Sequence, residues 1–549
     1  MRLKEIKNPI AYFSAEFAID NELPTYAGGL GILAADISNQ AALEHYPFVG
    51  IGILYKGKGF LQIITSDGRA ETKDSEFDHD TSFLRPTTKD GKPLIFGIKS
   101  NGQDVKVKAY HVRLSDTTIL FFLSTDVDGN PPEWVSDMDA LYGGDMESQI
   151  RQQILLGVGG VKLLEELDIT PHIYHLNEGR PGFAIWEITR NIMRKKQIDF
   201  DSAWKEAKDR IVYTNHTLIP AGNPTYPLNI VKKYSFDFAN DMGVENDMLI
   251  KDGIDKYGNF NTTLFALNVS KRHNAVSRSH FELAKAEWPN FEWTYITNGI
   301  YLPRWQDSDF RDKELDDKEL WNLHLAKKEE LMKTTVQRTG FGYDTNKLVI
   351  TWARRLADYK QPLVIFSDLA RLKKILQNTS RPIQLLFAGN SHTADTGSKS
   401  IIEKIIKIFS TELSGSAIFI PNYNISLANH LTSGSDVWLN TPQGDMEACG
   451  TSGMKAISNG VLNCTVLNGW TYEIDWNGVG FVLDSKNTAE SFYETIENQV
   501  APLYYQRDNE NLPSEWIKRM RASIEISKTF SMERTLREYK VKLYDTQTI

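Results

Sequence analysis

Short apolar runs at residues 348–352, 383–389, 417–420 and 437–439 alternate with helix-like stretches through the second half of the chain. Strands that alternate with helices are predicted to pair in parallel as a doubly wound sheet. The first half carries a comparable series at residues 11–17, 49–55, 105–110, 118–123, 173–176 and 211–214. Between these runs, Ile150, Ile154, Val158, Val161, Leu164 and Leu167 recur at three- and four-residue steps, which predicts a helix from Met146 to Leu167. The segment 293–300 closes the first series, a charged helical stretch at 312–337 precedes the second, and helical character returns over 513–545. With 549 residues the chain exceeds the size at which one core stops growing. The expected architecture is therefore α/β, with two facing doubly wound domains at 1–300 and 301–512. A helical tail at 513–549 is expected to pack back across both.

Open α/β sheets bind ligands beyond the carboxyl ends of their strands, so the polar loops there carry the functional argument. Residues 447–455 read Glu-Ala-Cys-Gly-Thr-Ser-Gly-Met-Lys, between the strand-like 436–440 and a helix-like 456–462. Backbone N–H groups of such a loop suit an anion, although the spacing is not that of a P-loop. Gly28, Gly29 and Gly31 form a second loop of this kind after the run that carries Glu16; alone, it reads equally well as a tight packed turn. Arg354, Arg355 and Lys360 follow the strand at 348–352. A solvated charged turn is the alternative there, but Trp352, Tyr359 and the position after a strand favour a polyanion site. Arginine grips phosphate bidentately and lysine acts as a point charge. Lys455 adds an amine that could form a Schiff base, as in pyridoxal phosphate proteins, although a lone helical lysine is usually solvated. Asn177-Glu178-Gly179-Arg180 and Asn215-His216-Thr217 stand beyond strands of the first series.

A net charge of −9 argues against a nucleic-acid or anionic-membrane partner, which leaves anion binding to local cation clusters. The two cysteines, Cys449 and Cys464, cannot make a disulfide framework and suit a reducing compartment. The first seven residues lack the apolar core of a signal peptide, and no apolar run reaches the length of a membrane span, so a cytoplasmic location is expected. Without a secretion signal, the sequons at Asn261 and Asn268 read as chance matches. No His/Cys cluster has metal-ligand spacing, no Gly-x-Ser-x-Gly elbow occurs, and no carboxylate pair is isolated for glycoside hydrolysis.

In several separate motifs, from about Ala11 to the tail, the chain resembles the α-glucan (glycogen or maltodextrin) phosphorylases in their compact form. These motifs are the Glu16-Phe17 strand end with Gly28-Gly29-Leu30-Gly31, Thr214-Asn215-His216-Thr217, Thr297-Asn298-Gly299-Ile300, Arg354 to Lys360, Asn422-Tyr423, and Glu447 to Lys455. Gly-Thr-Ser-Gly-Met-Lys beside Arg-Arg-x-x-x-Tyr-Lys is the specific part. The resemblance implies two Rossmann-like domains of the GT-B glycosyltransferase type. It also implies a reversible, retaining transfer of glucosyl units between α-1,4-glucan ends and inorganic phosphate, giving glucose 1-phosphate. By the same resemblance Lys455 would hold pyridoxal 5'-phosphate as a Schiff base, and the cofactor would act through its phosphate. Thr451, Ser452 and Arg354 would hold that phosphate, and Tyr423 would line the ring. Gly28, Gly29, Arg355 and Lys360 would take the substrate phosphate, with the backbone carbonyl of His216 a further group at the glucosyl unit. His216, Asn298, Glu447, Cys449 and Gly450 would meet the sugar, and Glu16 would support this wall. No metal is implied. Family members are commonly dimers, but no feature of this sequence specifies an interface.

Three positions depart from the family. Cys449 replaces its usual Ser, Arg180 stands where His is usual, and Ala357 stands where long-form members have His. Arg180 and Ala357 fall on the side that receives the glucan, so chain-length preference is less defined than the phosphate chemistry. A nucleotide-sugar glucan synthase would share the two domains, the glycine loop and the cation clamp, but would have no covalent use for Lys455. A glucan-binding scaffold would need no phosphate site.

Overall fold

A computed structural model describes residues 6–75, 77–78, 83–217, 222–312, 314–391 and 395–545. Most of the charged N-terminal stretch and the last four residues of the tail lie outside the described residues. The first sheet has ten strands: β1 (Ile10–Ser14), β2 (Phe48–Ile53), β3 (Arg85–Pro86), β4 (Ile95–Ser100), β5 (Gln103–Arg113), β6 (Thr118–Ser124), β7 (Ile173–Asn177), β8 (Ile211–Thr214), β9 (Arg272–Ala275) and β10 (Trp293–Tyr295). Their spatial order is β10-β9-β8-β7-β1-β2-β6-β5-β3, with β4 also on β5. Pairing is parallel from β10 through to β6 and antiparallel where β5 joins. Every residue of β1, β2, β6 and β7 is buried, because helices cover both faces; hence these strands read as continuous apolar runs. In β4 burial alternates residue by residue, the mark of a strand with one wet face.

On one face, Phe13, Ile51 and Phe121 pack with Ile150, Ile154 and Val161. The stretch predicted as one helix from Met146 to Leu167 is helical throughout residues 146–166, but a π-turn at Leu155–Gly159 interrupts it. Close approach explains the glycines there: a Cβ on Gly157 would stand 2.6 Å from the backbone nitrogen of Ala184. On the other face, Tyr12, Leu120 and Phe122 pack with Leu33 and Ile37 of α1 (Gly29–Leu43).

The second sheet contains β11 (Leu348–Ala353), β12 (Ile383–Ala388), β13 (Ala417–Ile420), β14 (Val437–Asn440), β15 (Leu462–Val466) and β16 (Phe481–Leu483). All are parallel, in the order β13-β12-β11-β14-β15-β16. The long helix α2 (Asp317–Thr339) leads into it through a capping box formed by Asp316 and Glu319, which the charged stretch before it encodes. The run 456–462, read as helical, divides in the structure. Helix α3 (Ser452–Ser458) ends at Asn459 and Gly460, the latter at φ 76°, and Leu462 already belongs to β15.

The final segment serves both halves. Trp516, Ile517 and Met520 of α4 (Ser514–Ser527) belong to the second sheet's core. Met532, Leu536 and Tyr539 of α5 (Met532–Tyr539), with Leu543 and Tyr544, complete the first sheet's helix layer. Between them Ile300 bridges Ser531, with the Ile300 N–H donating to the Phe530 carbonyl at 2.8 Å. Tyr544 Oη lies 2.7 Å from His175 Nδ1, whose other nitrogen meets Thr214 Oγ1 at 2.7 Å; burial pulls the His175 pKa down to about 3, so the ring is neutral. Tyr544→Phe orphans a buried ring nitrogen and should destabilise the first domain by about 1–3 kcal/mol. The check is its thermal unfolding midpoint, and an unchanged value would show that this bond contributes nothing. Among the described residues no helix is long and apolar enough to cross a membrane.

Candidate active site

In the second sheet the strand order reverses at β11, which pairs with β12 on one side and β14 on the other. Loops leaving such a switch point diverge and open a crevice. The loop after β11 carries Arg354 to Lys360; the loop after β14 leads to Glu447 and Lys455. The first sheet reverses at β1, between β7 and β2, and Glu16 and Asn177 stand at the ends of β1 and β7. The glycine loop, the Arg354–Lys360 loop and the Glu447–Lys455 loop thus lie at the switch points of two sheets.

The two arginines point to different surroundings. Arg354 is buried, donates to Ser452 Oγ at 3.4 Å, and its Nε has no partner among the described residues. Arg355 is exposed, and its Cδ stands 3.7 Å from the place a Cβ on Gly28 would occupy. The glycine loop of the first domain and the arginine of the second therefore face each other across the cleft. Ser452 Oγ also accepts from Trp438 Nε1 of β14 at 3.2 Å. Since α3 is only seven residues long, the hydroxyls of Thr451 and Ser452 and the guanidinium of Arg354 define this wall better than a helix dipole does.

Part of the glycine loop is already committed. Glu16 Oε2 accepts from the N–H groups of Ala27 at 2.9 Å, Gly28 at 3.0 Å and Gly31 at 3.3 Å. Of the loop's donors, Gly29 and Leu30 have no acceptor among the described residues, and a Cβ on Gly29 would meet nothing within 4 Å. Gly28 thus shapes the loop, and the open donors for a ligand are its neighbours. Tyr142 Oη donates to the other Glu16 oxygen at 2.7 Å, and the Arg180 guanidinium sits 4.4 Å from the Tyr142 ring centroid. In this way Arg180 buttresses the loop from behind.

Lys455 is buried, and its Nζ lies 3.5 Å from the ring centroid of Trp305. Among the described residues the amine has no hydrogen-bond acceptor. Burial draws its pKa down to about 7, with Asp36 pulling the other way and Arg304 reinforcing the fall. An amine of this kind is largely unprotonated just above neutrality and can attack a carbonyl.

Lys360 Nζ approaches Glu447 Oε2 at 3.2 Å, with both side chains about nine-tenths buried. The contact lacks hydrogen-bond geometry, and this Glu447 oxygen has no hydrogen-bond donor among the described residues. Gly450 O accepts from Trp470 Nε1 at 2.9 Å, and Ala448 O accepts from Ser277 Oγ at 2.6 Å, which ties this loop to the first domain. Cys449 is half-buried as a residue, and burial around its thiol pushes the pKa up. Asn298 is buried with an unpartnered side-chain oxygen. Tyr423 is fixed through its backbone by two bonds with Asn390, at 2.8 and 2.7 Å, and burial raises its hydroxyl to about 12. His216 Nε2 lies 2.6 Å from Asn177 Oδ1, and its N–H donates to Glu178 Oε1 at 2.8 Å. Burial pulls the His216 pKa down to about 3 and pushes that of Glu178 up to about 8. Ala357 stands before the short 3-10 turn Asp358–Lys360.

The sequence reading missed Trp305, Asp36 and Tyr142. Asp36 gave a signal, a lone acid in the otherwise apolar run after the glycine loop; the other two are set by tertiary packing.

Two doubly wound sheets facing a cationic cleft define the GT-B class of glycosyltransferase architecture. A sequence model described as carbohydrate phosphorylase matches residues 161–243 and 294–481. The chain is 33% identical to a glycogen phosphorylase of Aquifex aeolicus, over 98% of this chain and 86% of that protein. It is 34% identical to a maltodextrin phosphorylase of Thermococcus litoralis, over 98% of this chain and 70% of that one. An uncharacterised protein of Methanocaldococcus jannaschii is 31% identical over 98% of this chain and 99% of its own length. The chain belongs to the carbohydrate phosphorylase family.

Proposed function

We propose that the chain is an α-glucan phosphorylase. It transfers glucosyl units reversibly, with retention, between α-1,4-glucan ends and inorganic phosphate, and the product is glucose 1-phosphate. The observation that carries this reading is Lys455: a buried amine with a pKa near 7, without a hydrogen-bond acceptor among the described residues and laid against an indole face. A structural lysine so buried would be paired. Its neighbours fit a phosphorylated carbonyl compound, since among the described residues Arg354 has an unpartnered Nε, the Ser452 hydroxyl stands beside that guanidinium, and Thr451 precedes Ser452 in the chain. Lys455 is the anchor for pyridoxal 5'-phosphate, Arg354, Thr451 and Ser452 hold its phosphate, and Tyr423 lines its ring. When bound, the cofactor supplies a phosphate group that can exchange a proton with the substrate phosphate.

The remaining work falls to the chain's own residues. Two phosphates side by side repel unless cations and N–H donors surround them. Arg355 is free to turn onto the substrate phosphate, Lys360 exchanges Glu447 for it, and the Gly29 N–H faces it. Glu447, released, accepts from a sugar hydroxyl, as do the open Asn298 oxygen and backbone groups near Cys449 and Gly450. A contact through the backbone tolerates Cys at 449; one through a hydroxyl would be weaker. His216, neutral and held by Asn177, meets the sugar's other side and presents its carbonyl without adding charge. The free cysteines suit a cytoplasmic setting.

Purified protein should show a visible absorbance band from bound cofactor. Borohydride should trap it on Lys455, and Lys455→Ala should lose both the adduct and glucose 1-phosphate formation from maltodextrin. A wild-type protein with no band after incubation with the cofactor, or one that uses a nucleotide sugar instead of phosphate, overturns the reading.

A further inference from the structure

Asp36 lies on α1, about two turns beyond the glycine loop, and is 1% exposed. None of the three phosphate-binding motifs includes it, yet the Trp305 side chain links its carboxylate to Lys455. Oδ2 accepts from Trp305 Nε1 at 2.7 Å and from the Tyr301 N–H at 3.2 Å, and Oδ1 faces Arg304 Nη1 at 3.3 Å. Trp305 is 2% exposed, and its ring face carries the Lys455 amine at 3.5 Å. The other Arg304 nitrogen donates to the Ala18 carbonyl, so the guanidinium is fixed as well. The carboxylate thus ties the helix of the glycine loop to the indole that receives the lysine.

We infer that Asp36 is a positioning residue for Lys455: it sets the indole plane against the amine and is the carboxylate whose charge bears on it. The inference rests on the reading of Lys455 as the anchor for a carbonyl cofactor. Among the described residues, the charged groups whose fields reach the amine are Asp36 from α1 and Arg304 from the 301–305 turn. Burial raises the Asp36 pKa, while Arg304, Lys455, the Tyr301 N–H and the Trp305 indole act against that rise and favour the carboxylate. Their signs differ. An adjacent anion favours the protonated amine and an adjacent cation disfavours it, so removing one should move the titration opposite to removing the other. A site of this design keeps the amine balanced between its two forms near neutral pH. Its neutral form is available for attack, and compensation is at hand for a cation formed at that nitrogen. A plain packing role for Asp36 would instead affect folding and leave the titration where it was.

The test uses the full chain freed of cofactor. Pyridoxal 5'-phosphate is added at a series of pH values, and the borohydride-trapped adduct on Lys455 is quantified by mass spectrometry as an initial rate. Wild type should give a midpoint near 7. Asp36→Asn, which keeps an acceptor for the indole, should move the midpoint down by about one unit. Arg304→Gln should move it up by at least about half a unit. A folded Asp36→Asn protein with the wild-type midpoint overturns the inference. Should that variant not fold, Arg304→Gln decides, and an unmoved or lowered midpoint there overturns it equally. No adduct on Lys455 in wild type defeats the cofactor reading and this inference together, whereas an adduct with unmoved midpoints defeats only this one.

Discussion

Lys360→Ala is expected to cut phosphorolytic turnover by at least about 10²-fold, the scale for losing one preorganised electrostatic group. The argument starts from its neighbours. Arg355 is exposed and without a side-chain partner among the described residues, whereas Lys360 is held at 3.2 Å from Glu447. Phosphate therefore competes with a carboxylate for Lys360 as it enters, and the same exchange frees Glu447 for the sugar. With alanine at 360, Glu447 loses the cation 3.2 Å from it and remains a mostly buried acid next to the place where phosphate must settle. Both substrates suffer: kcat falls, and KM for phosphate rises. The measurement is glucose 1-phosphate release from maltodextrin at several phosphate concentrations. Turnover within a few-fold of wild type at saturating phosphate would remove Lys360 from the mechanism.

Asp436→Asn is expected to destabilise the second domain by about 3–5 kcal/mol, the range for breaking a buried ion pair from one side. Asp436 precedes β14 at the end of the strand away from the cleft, with no exposed surface. One oxygen accepts from Lys328 Nζ at 2.5 Å and from the Val349 N–H at 2.7 Å, and the other accepts from His324 Nε2 at 2.8 Å. Lys328 also donates to the Lys347 carbonyl at 2.6 Å and to Tyr504 Oη at 2.9 Å. Burial alone would raise the Asp436 pKa, but Lys328 and His324 outweigh it and hold the carboxyl below its ordinary value. A depressed folded-state pKa contributes stability above the unfolded pKa, lost as pH falls through the folded one. The advantage of wild type over Asp436→Asn should thus be level from about pH 5 to 8 and shrink only below about pH 4. Urea unfolding followed by a second-domain probe reads it; a difference under about 1 kcal/mol at pH 7 would show the pair to be nearly neutral.

Most of the two sheets was legible because parallel strands buried on both faces leave continuous apolar runs, as in β11, β12 and β14, whereas β9, Arg-His-Asn-Ala, carries no such run and was not read. Strands β15 and β16 were harder. The start of β15 follows α3 after only a short turn, so its apolar residues read as more helix until Gly460, in the left-handed region, is recognised as the stop. The cation and glycine loops were legible because each is contiguous. What the structure adds is how they are used: Glu16 occupies three glycine-loop donors, Arg354 turns inward while Arg355 turns outward, and Glu447 holds Lys360. The Asp36–Trp305–Lys455 arrangement joins three segments separated by more than a hundred residues, and no local pattern encodes such a meeting.

The tail has a consequence for the order in which the molecule is made. Synthesis runs from the N-terminus, and domains generally fold as units as they emerge. The first sheet is translated well before its helix layer is complete, because α5, Leu543 and Tyr544 lie at the far end of the chain. Until those residues emerge, Tyr12, Leu120 and Phe122 have an incomplete cover and His175 lacks its tyrosine partner. The first domain to be translated is therefore finished only after the second sheet has been made.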